Sequence, residues 1–374
     1  MNNKARCELK VLHGPVNVGN QPWGLSRHER LLGCRSDLVI NYNTWLNYPV
    51  DRCLGSYQSR TFKDILRRAL FGISAPVHYD VLHYYFGRSF LCWDDYGLKN
   101  RLWFADLKLA KRIGRKVFMT LQGCDIRVSE LSATANRYSP CQEGHCRAVP
   151  SCRSLLDLWR KDLAESVLPL ADRVFVLNPD LKRFVPHAVF LPYASVDPDQ
   201  FFPERPCTDG PITILHAPSD DGIKGTSRIV AAVDKLKALY PIDFVLIQGL
   251  PHARAMELYR SADLVIDQLL CGWYGALAVE AMAMGKPVAC YLREDDLGFI
   301  PAGMRADMPI VRITAETLEG DLEKAIQERL QWPEWGEASR RYVFRWHSPK
   351  RIARAMVDAY RHPSSEFDAN LEKV

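Results

Sequence analysis

Glu280 stands in an otherwise apolar run, Ala276–Met284, and is the strongest candidate for ligand binding in the sequence. The residue types predict that a strand ends at Asp267, that a glycine-containing loop follows, and that a helix runs from about Gly275 to a stop at Gly285. Free N–H groups at the start of that helix would form an anion site. A carboxylate buried in the helix needs a partner, and a ribose diol is a suitable one. In the alternative interpretation, Glu280 is a surface residue and the loop merely turns the chain.

A second candidate is the loop Ser219–Thr226, which follows the strand-like run Ile212–His216. Lys224 and Gly225 lie side by side there, and a lysine beside a glycine at a helix start can bind a diphosphate. The alternative is an ordinary solvated Lys-Gly pair. The loop Gln248–His252, after the next strand, is a candidate for packing against a nucleotide base, or a plain turn.

These segments resemble the donor site of family 4 and related GT-B glycosyltransferases, in which two glutamates flank seven residues. The run Glu280–Val288 (EAMAMGKPV) is similar to the second half of that motif. The resemblance implies that Glu280 holds the ribose hydroxyls, that Lys224 contacts the leaving diphosphate, and that the anomeric configuration is retained. Gly225, beside Lys224, and Gly275, at the helix start, are the candidates for close backbone approach to the donor phosphates.

This sequence departs from the family motif in two places. Gly272 stands where the family has its first glutamate, which contacts the donor sugar. Asp267, or the pair Trp273 and Tyr274, is the candidate replacement for that contact. The family's loop arginine is also absent from Ser219–Thr226, so Lys224 would act alone, with an arginine from elsewhere or with helix N–H groups.

The loop after the first strand carries Gly19 and Asn20 and resembles the first glycine loop of GT-B enzymes, which lies over the donor phosphates and the acceptor. It lacks the compact Gly-x-Gly-x-x-Gly of dinucleotide enzymes. An ordinary strand-to-helix loop is the alternative.

A polar cluster follows the strand that ends at Leu121. Related transferases carry His-Gly-Ser-Asp-x-Arg at this point, whereas here Gln122 replaces the histidine and Asp125 and Arg127 remain. Gln122 cannot accept a proton, so we expect it to hydrogen-bond a sugar. Asp125 would orient or deprotonate the acceptor hydroxyl. Alternatively, Asp125 caps the next segment and pairs with Arg127.

Two further segments carry open alternatives. Cys141, Cys146 and Cys152, with His145, are ligands of a structural zinc, ordinary thiols in a loop or, as a third option, a redox pair. Ser59–Phe71 is basic and amphipathic. Such a helix either lies on an anionic membrane or packs its apolar face on the core.

The length and composition indicate what kind of protein positions these residues. It has 374 residues, too many for one compact core and suited to two domains. Hydrophobic residues make up 47% and charged residues 25%, which is typical of a globular protein. The net charge of +5, without any Arg- or Lys-rich run, argues against nucleic-acid binding and fits anionic small molecules or an anionic membrane surface.

Short apolar runs alternate with helix-period segments, the pattern of βαβ units and parallel sheets. The predicted strands are Leu9–Leu12, Leu38–Ile40, Val81–Tyr84, Val117–Leu121, Arg173–Leu177, Ile212–His216, Phe244–Ile247, Leu264–Ile266 and Val288–Tyr291. The predicted helices include Leu25–Leu32, Phe62–Phe71, Trp103–Ile113, Leu155–Leu168, Ala253–Arg260, Ala276–Met284 and Thr317–Leu330.

The α/β pattern and the resemblance together predict a GT-B architecture: two Rossmann-like parallel-sheet domains facing across a cleft. Prolines concentrate between residues 192 and 211, which places the boundary there. We predict an acceptor-side domain over 1–192, a nucleotide-sugar-binding domain over 193–345, and a helical tail over 346–374 that packs back toward the first domain.

The predicted function is transfer of a sugar from a nucleotide-diphosphate sugar to a hydroxyl of a glycan, a glycolipid or a small molecule. No cofactor is expected, and metal independence is predicted for a hexosyltransferase-like enzyme. The alternatives are a nucleotide-sugar epimerase or hydrolase on the same fold, and a non-catalytic sugar-nucleotide-binding scaffold. Without a signal-peptide pattern or a spanning apolar run, we expect a cytoplasmic protein, with peripheral contact at the inner face of the membrane as an option.

Overall fold

The computed structural model describes residues 9–44, 47–56, 61–92 and 102–373. Every strand pairing among these residues is parallel. The strands are β1 Lys10–Gly14, β2 Arg35–Ile40, β3 Arg52–Cys53, β4 Val81–Tyr85, β5 Lys116–Leu121, β6 Arg173–Val176, β7 Val189–Phe190, β8 Ile212–His216, β9 Ile242–Leu246, β10 Leu264–Ile266, β11 Val288–Cys290 and β12 Val311–Arg312.

Helices connect these strands and cover both sheets. They are α1 Gln21–Leu31, α2 Phe62–His78, α3 Ala105–Arg112, α4 Ser129–Ala135, α5 Val149–Ser151, α6 Asp157–Asp162, α7 Asp221–Lys224, α8 Thr226–Leu236, α9 His252–Arg260, α10 Ala276–Ala283, α11 Ala302–Ala306, α12 Leu318–Gln327, α13 Trp332–Tyr342, α14 Pro349–Arg361 and α15 Phe367–Lys373.

Two compact units divide the chain. The first contains the chain up to Val128, Ser154–Ser195 and the chain from Pro349 onward, and its sheet has the order β3-β2-β1-β4-β5-β6-β7. The second contains Ser129–Arg153 and Val196–Ser348, and its sheet has the order β12-β11-β10-β8-β9. Within the first unit α14 packs against α1, and its apolar residues join the same core as those of β1 and β4.

Each predicted strand overlaps an observed one, because a run of buried β-branched and aromatic residues is a strong local signal. The pattern missed β3, β7 and β12, which have two residues each and lie at the edges of their sheets. Two residues are too few to show a periodicity. The predicted helix Leu155–Leu168 is also irregular, since α6 is flanked by π-helical turns at Cys152–Leu156 and Leu163–Val167.

The sequence prediction placed residues 129–153 in the first domain, and the structure differs at this point. They group with the second unit. The ring of Tyr138 meets Tyr291 edge-on with centroids 5.2 Å apart, and Arg293 Nη2 donates to the Tyr138 carbonyl at 3.2 Å. A Cβ at Gly222 would lie 1.9 Å from the His145 carbonyl oxygen, so glycine is what allows this close approach.

The basic segment predicted as a helix is described from Thr61 onward, whereas Ser59 and Arg60 lie outside the described residues. Helix α2 begins after Thr61, whose side chain accepts the Asp64 N–H, and continues to His78. Across the described ranges, no helix combines the length and apolar character needed to span a bilayer.

Candidate functional site

The second unit has a topological switch point between β8 and β10. The chain passes from β8 to β9 on one side, then crosses to β10 on the other side of β8. In open parallel sheets, ligands bind outside the carboxyl ends of the strands at such a point. The segments that follow β8, β9 and β10 contain Lys224 at the end of α7, His252 at the start of α9, and Asp267 directly after β10.

Lys224 is the last residue of α7, and Gly225 separates it from α8 with a φ of 76°. Its Nζ lies 2.7 Å from Oδ1 of Asp267, and the two side chains are 12% and 0% exposed. Burial lowers the pKa of Lys224, but the Asp267 carboxylate outweighs it and holds the pKa above its ordinary value. Lys224 is therefore a fixed, protonated cation.

Helix α10 begins where Asp267 also binds. Oδ2 of Asp267 accepts the Gly275 N–H at 2.5 Å, and a Cβ at Gly275 would lie 3.2 Å from Lys224 Nζ. The sequence predicted that free N–H groups at this helix start bind an anion. In the structure, the Asp267 carboxylate already accepts the first of them, the Gly275 N–H. Past this N-cap, the first-turn N–H groups have no acceptor within the helix.

Glu280 lies inside α10 and is 8% exposed, so the interpretation of Glu280 as a surface residue is wrong. Its Oε1 accepts a hydrogen bond from His252 Nε2 at 2.6 Å. This hydrogen bond, opposed by burial, holds the pKa of His252 above its ordinary value. The sequence predicted that Glu280 needs a partner but did not identify His252, although the loop that ends at His252 was already a candidate.

His216 is a residue that sequence reasoning missed. It ends β8, where its Nδ1 donates to the Ile266 carbonyl of β10 at 2.8 Å and its Nε2 accepts from Thr226 Oγ1 of α8 at 3.0 Å. Burial lowers the pKa of His216 to about 4, so the ring is neutral near pH 7. This histidine fixes the two strands at the switch point relative to the helix that follows Lys224.

Trp273 and Tyr274 are core residues in this structure, at 1% and 0% exposed. Their rings stack with centroids 4.3 Å apart. The Tyr274 hydroxyl lies 2.8 Å from both Tyr342 Oη and His347 Nε2. These side chains therefore support the loop between β10 and α10 from inside, and they do not present themselves to a donor sugar.

In the first unit, Gly19 and Asn20 form the turn between β1 and α1. Both adopt left-handed conformations, with φ values of 61° and 59°. Asn20 is the N-cap of α1 without a side-chain cap bond, and its Oδ1 is buried without a partner among the described residues. The loop leaves β1 beside β4, which is the switch point of this sheet.

Asp125 binds the backbone of its own loop. Its oxygens accept the Gln122 N–H at 2.9 Å and the Gly123 N–H at 2.7 Å. Burial raises the pKa of this carboxyl despite those hydrogen bonds. The Gln122 side-chain nitrogen is buried without a partner in the described ranges.

Arg127 does not pair with Asp125 as the alternative interpretation of this loop supposed. It makes a bidentate contact with Asp180, at 2.8 Å from Nε and 3.1 Å from Nη2. The two side chains are 6% and 5% exposed. Asp180 follows β6, whereas Arg127 follows β5, so the pair joins the ends of neighbouring strands.

A buried polar network, also missed from sequence, lies behind these loops. His13 of β1 contacts Tyr85 Oη at 2.7 Å and Glu29 at 2.8 Å, and Tyr360 of α14 donates to Glu29 at 3.1 Å. Burial would raise the pKa of Glu29, but His13 and the hydrogen bonds hold it below its ordinary value. Burial lowers the pKa of the adjacent His83. The network joins the central strands to α1 and α14.

The cysteine cluster shows no metal site. Cys141 and Cys146 are half-buried and Cys152 is buried. Within the described ranges, no three His, Cys, Asp or Glu side chains are grouped so that they could hold a metal ion. The Cys146 sulfur instead accepts the Ala148 N–H at 3.4 Å.

Comparison with known proteins shows the fold. No protein-family model matches the chain, and no curated protein sequence matches it. A sucrose-phosphate synthase from Thermosynechococcus elongatus is similar with a TM-score of 0.58 at 15% identity, over 95% of this chain and 99% of that one. A glycosyltransferase from Rickettsia africae ESF-5 is similar with a TM-score of 0.59 at 14% identity, over 95% and 98%.

A third solved structure, HepE of Anabaena in complex with UDP-glucose, has a TM-score of 0.58 at 11% identity and covers 95% of this chain and 100% of that one. At these identities the similarity shows the fold alone. The chain has the two parallel-sheet α/β units of the GT-B glycosyltransferase fold.

Proposed function

We propose that this protein is a glycosyltransferase that moves a sugar from a nucleotide-diphosphate sugar to a hydroxyl acceptor. The observation that carries the proposal is the arrangement at the switch point of the second unit. There a buried cation, the start of α10 and a buried carboxylate follow the carboxyl ends of neighbouring strands. An anion and a diol are the two groups that a nucleoside diphosphate offers to such an arrangement.

Each end of the donor has a partner in this proposal. Glu280 accepts hydrogen bonds from the ribose hydroxyls, and His252 keeps its carboxylate oriented. Lys224, Gly225 and the first turn of α10 after Gly275 bind the diphosphate. Trp273 and Tyr274 act from behind the loop, because both are buried.

Leaving-group stabilisation is the main catalytic contribution in this proposal. The departing diphosphate gains negative charge, and a preorganised cation lowers the energy of that state without reorganisation. Lys224 is such a cation because Asp267 fixes it in place. The proposal includes retention of configuration at the anomeric carbon, which the resemblance to family 4 implies. It also includes a hexosyl donor and catalysis without a metal ion.

Acceptor binding is assigned to the first unit. Gln122 and Asp125 follow β5, and Gly19 and Asn20 follow β1. The loop N–H groups fix the Asp125 carboxylate, which suits it to orienting an acceptor hydroxyl. Asn20 Oδ1, buried without a described partner, is a second acceptor for such a hydroxyl.

A non-catalytic sugar-nucleotide-binding protein is the second candidate. The observation that favours it is that Asp267 already partly compensates Lys224, while Asp125 already accepts two backbone N–H groups. An epimerase or hydrolase would differ from both, because it would consume the donor without an acceptor.

Titration calorimetry with nucleoside diphosphates and nucleotide sugars tests the donor site. UDP-glucose is the first probe, because HepE was solved in complex with it. We expect one nucleotide to bind the wild type and to lose about tenfold or more in affinity with Glu280→Gln. The control is Glu257→Gln, since Glu257 lies on α9 and its side chain is 62% exposed. Equal affinity of both variants, or no binding at all, would contradict the proposal.

Product analysis then separates the candidates. A donor that is bound and released as nucleoside diphosphate only when a hydroxyl acceptor is present identifies a transferase. Release without an acceptor identifies a hydrolase, a changed sugar identifies an epimerase, and binding without turnover over an acceptor panel favours the scaffold.

A further inference from the structure

Helix α2 exposes a row of large apolar side chains. Phe62, Leu66, Leu70, Ile73 and Val77 are 78%, 44%, 60%, 52% and 63% exposed. They recur at intervals of three and four residues, so they lie within about 80° of one another around the helix. The row is about 22 Å long at 1.5 Å per residue. We call these five residues the α2 stripe.

The inward face of α2 explains why the stripe points outward. The buried residues of this face are Arg68, Gly72, Ala75 and Pro76, so those in the second half of the helix are all small. A Cβ at Gly72 would lie 2.8 Å from a Leu91 side-chain atom, so the helix packs too closely on the core for a larger residue. Phe71 does pack against the core, with its ring edge-on to Phe90 and the centroids 4.9 Å apart. The stripe residues are exposed, so the expectation that such a helix packs its apolar face on the core does not account for them.

Positive charge lies along one flank of the stripe. Lys63 and Arg67 follow the stripe residues Phe62 and Leu66 directly in sequence. Asp64 is the one acidic residue of α2, and its side chain is 13% exposed and directed at Arg67 at 3.7 Å. Among the described residues, Lys63 is therefore an exposed cation of this flank, and Arg67 is 41% exposed with its charge partly compensated by Asp64.

Helix α3 packs against α2 and, like α2, has exposed basic residues beside an exposed apolar one. It carries exposed Lys108 and Arg112, and neither forms an ion pair with any other described residue. Ile113, directly after α3, is 44% exposed. Exposed apolar groups beside unpaired cations are the features that hold a helix at an anionic bilayer surface, with apolar side chains among the acyl chains and cations at the headgroups.

We propose that the α2 stripe and its basic flank dock this protein onto an anionic lipid bilayer. A second copy of the chain fits this surface less well, because a symmetric contact would place the basic flanks of both copies at one interface. A protein partner would need an acidic rim to match these cations, whereas a bilayer with anionic headgroups supplies negative charge along the whole row. The proposal does not depend on the function of the switch-point site, because docking needs no nucleotide.

Vesicle co-sedimentation tests the proposal with the full chain. The probes are vesicles of phosphatidylcholine alone and of phosphatidylcholine mixed with anionic phosphatidylglycerol. We expect binding to the mixed vesicles, and a loss of about tenfold or more for Leu70→Ser/Ile73→Ser. The matched control is Leu31→Ser/Leu158→Ser, which removes two leucines that are 69% and 65% exposed on other helices of the first unit.

A charge variant tests the second part of the surface. Lys63→Glu/Lys108→Glu should weaken binding to the mixed vesicles by roughly tenfold or more, and added salt should weaken binding of the wild type. Circular dichroism on every variant confirms folding. Absence of binding, equal binding to both vesicle types, or equal loss in the leucine control would overturn the proposal. A change in molar mass with the stripe variant, measured by light scattering, would assign the surface to self-association instead.

Discussion

Nζ of Lys224 lies 2.7 Å from Oδ1 of Asp267, while Oδ2 of the same carboxylate accepts the Gly275 N–H at 2.5 Å. One buried carboxylate thus connects the loop after β8 with the start of α10. It holds the cation that the proposed mechanism uses, and it occupies the first donor at the N-terminus of α10. The positive charge of Lys224 is therefore partly compensated before any ligand arrives.

Asp267→Asn tests this arrangement. It leaves Lys224 buried beside a neutral amide, and breaking a buried pair in this way costs about 3–5 kcal/mol. We expect that loss in the free energy of unfolding measured with urea. Asp234→Asn is the control, because its side chain is 60% exposed and its pair with Lys237 is on the surface. A cost for Asp267→Asn as small as that of the control would show that the pair is not needed.

The Glu280–His252 pair predicts a dependence of stability on pH. Because the hydrogen bond to Glu280 raises the pKa of His252, the pair stabilises the fold fully below the ordinary histidine pKa of about 6.5. This contribution is lost as the pH rises through the raised value. Glu280→Gln should therefore destabilise the protein more at about pH 5.5 than at about pH 8.5.

NMR titration of His252 provides the direct measurement. We expect its pKa to fall toward the ordinary value in Glu280→Gln and to stay raised in Glu257→Gln. An unchanged pKa in Glu280→Gln would mean that another group raises it.

Tyr274→Phe separates support of the loop from contact with the donor. It removes the hydroxyl that bonds Tyr342 and His347, which should cost about 1–3 kcal/mol of stability. Nucleotide affinity should change little, because the side chain is 0% exposed. The control is Tyr240→Phe, which removes a hydroxyl bonded to Glu323 at 3.1 Å. A large loss of nucleotide affinity with an unchanged free energy of unfolding would show that Tyr274 contacts the donor.

Arg127 should couple energetically to Asp180. A double-mutant cycle with Arg127→Met and Asp180→Asn should give a coupling of about 1–3 kcal/mol in urea unfolding. The same cycle with Asp125→Asn should give a smaller coupling, because Asp125 binds backbone N–H groups instead. The opposite ranking would support the pairing of Arg127 with Asp125.

The sequence alone determined the α/β class, the nine longer strands and the helix that carries Glu280. These features depend on local patterns: apolar runs for buried strands, and the glycine that ends α10, which adopts a φ of 76° at Gly285. The strand, loop and helix around Lys224 and around Glu280 also followed from local patterns. In the structure both segments lie at the carboxyl edge of one sheet, because parallel strands place their following loops on the same edge.

Only the tertiary structure decided the partners of the charged groups. Asp267 pairs with Lys224 across 43 residues, His252 with Glu280 across 28, and Arg127 with Asp180 across 53. It also decided that Trp273 and Tyr274 are buried and that the apolar row of α2 is exposed. A local pattern shows that a helix is amphipathic or that a carboxylate needs a partner. Which surface the helix packs on, and which side chain pairs with the carboxylate, depend on how separate elements pack. That information is distributed over the whole chain.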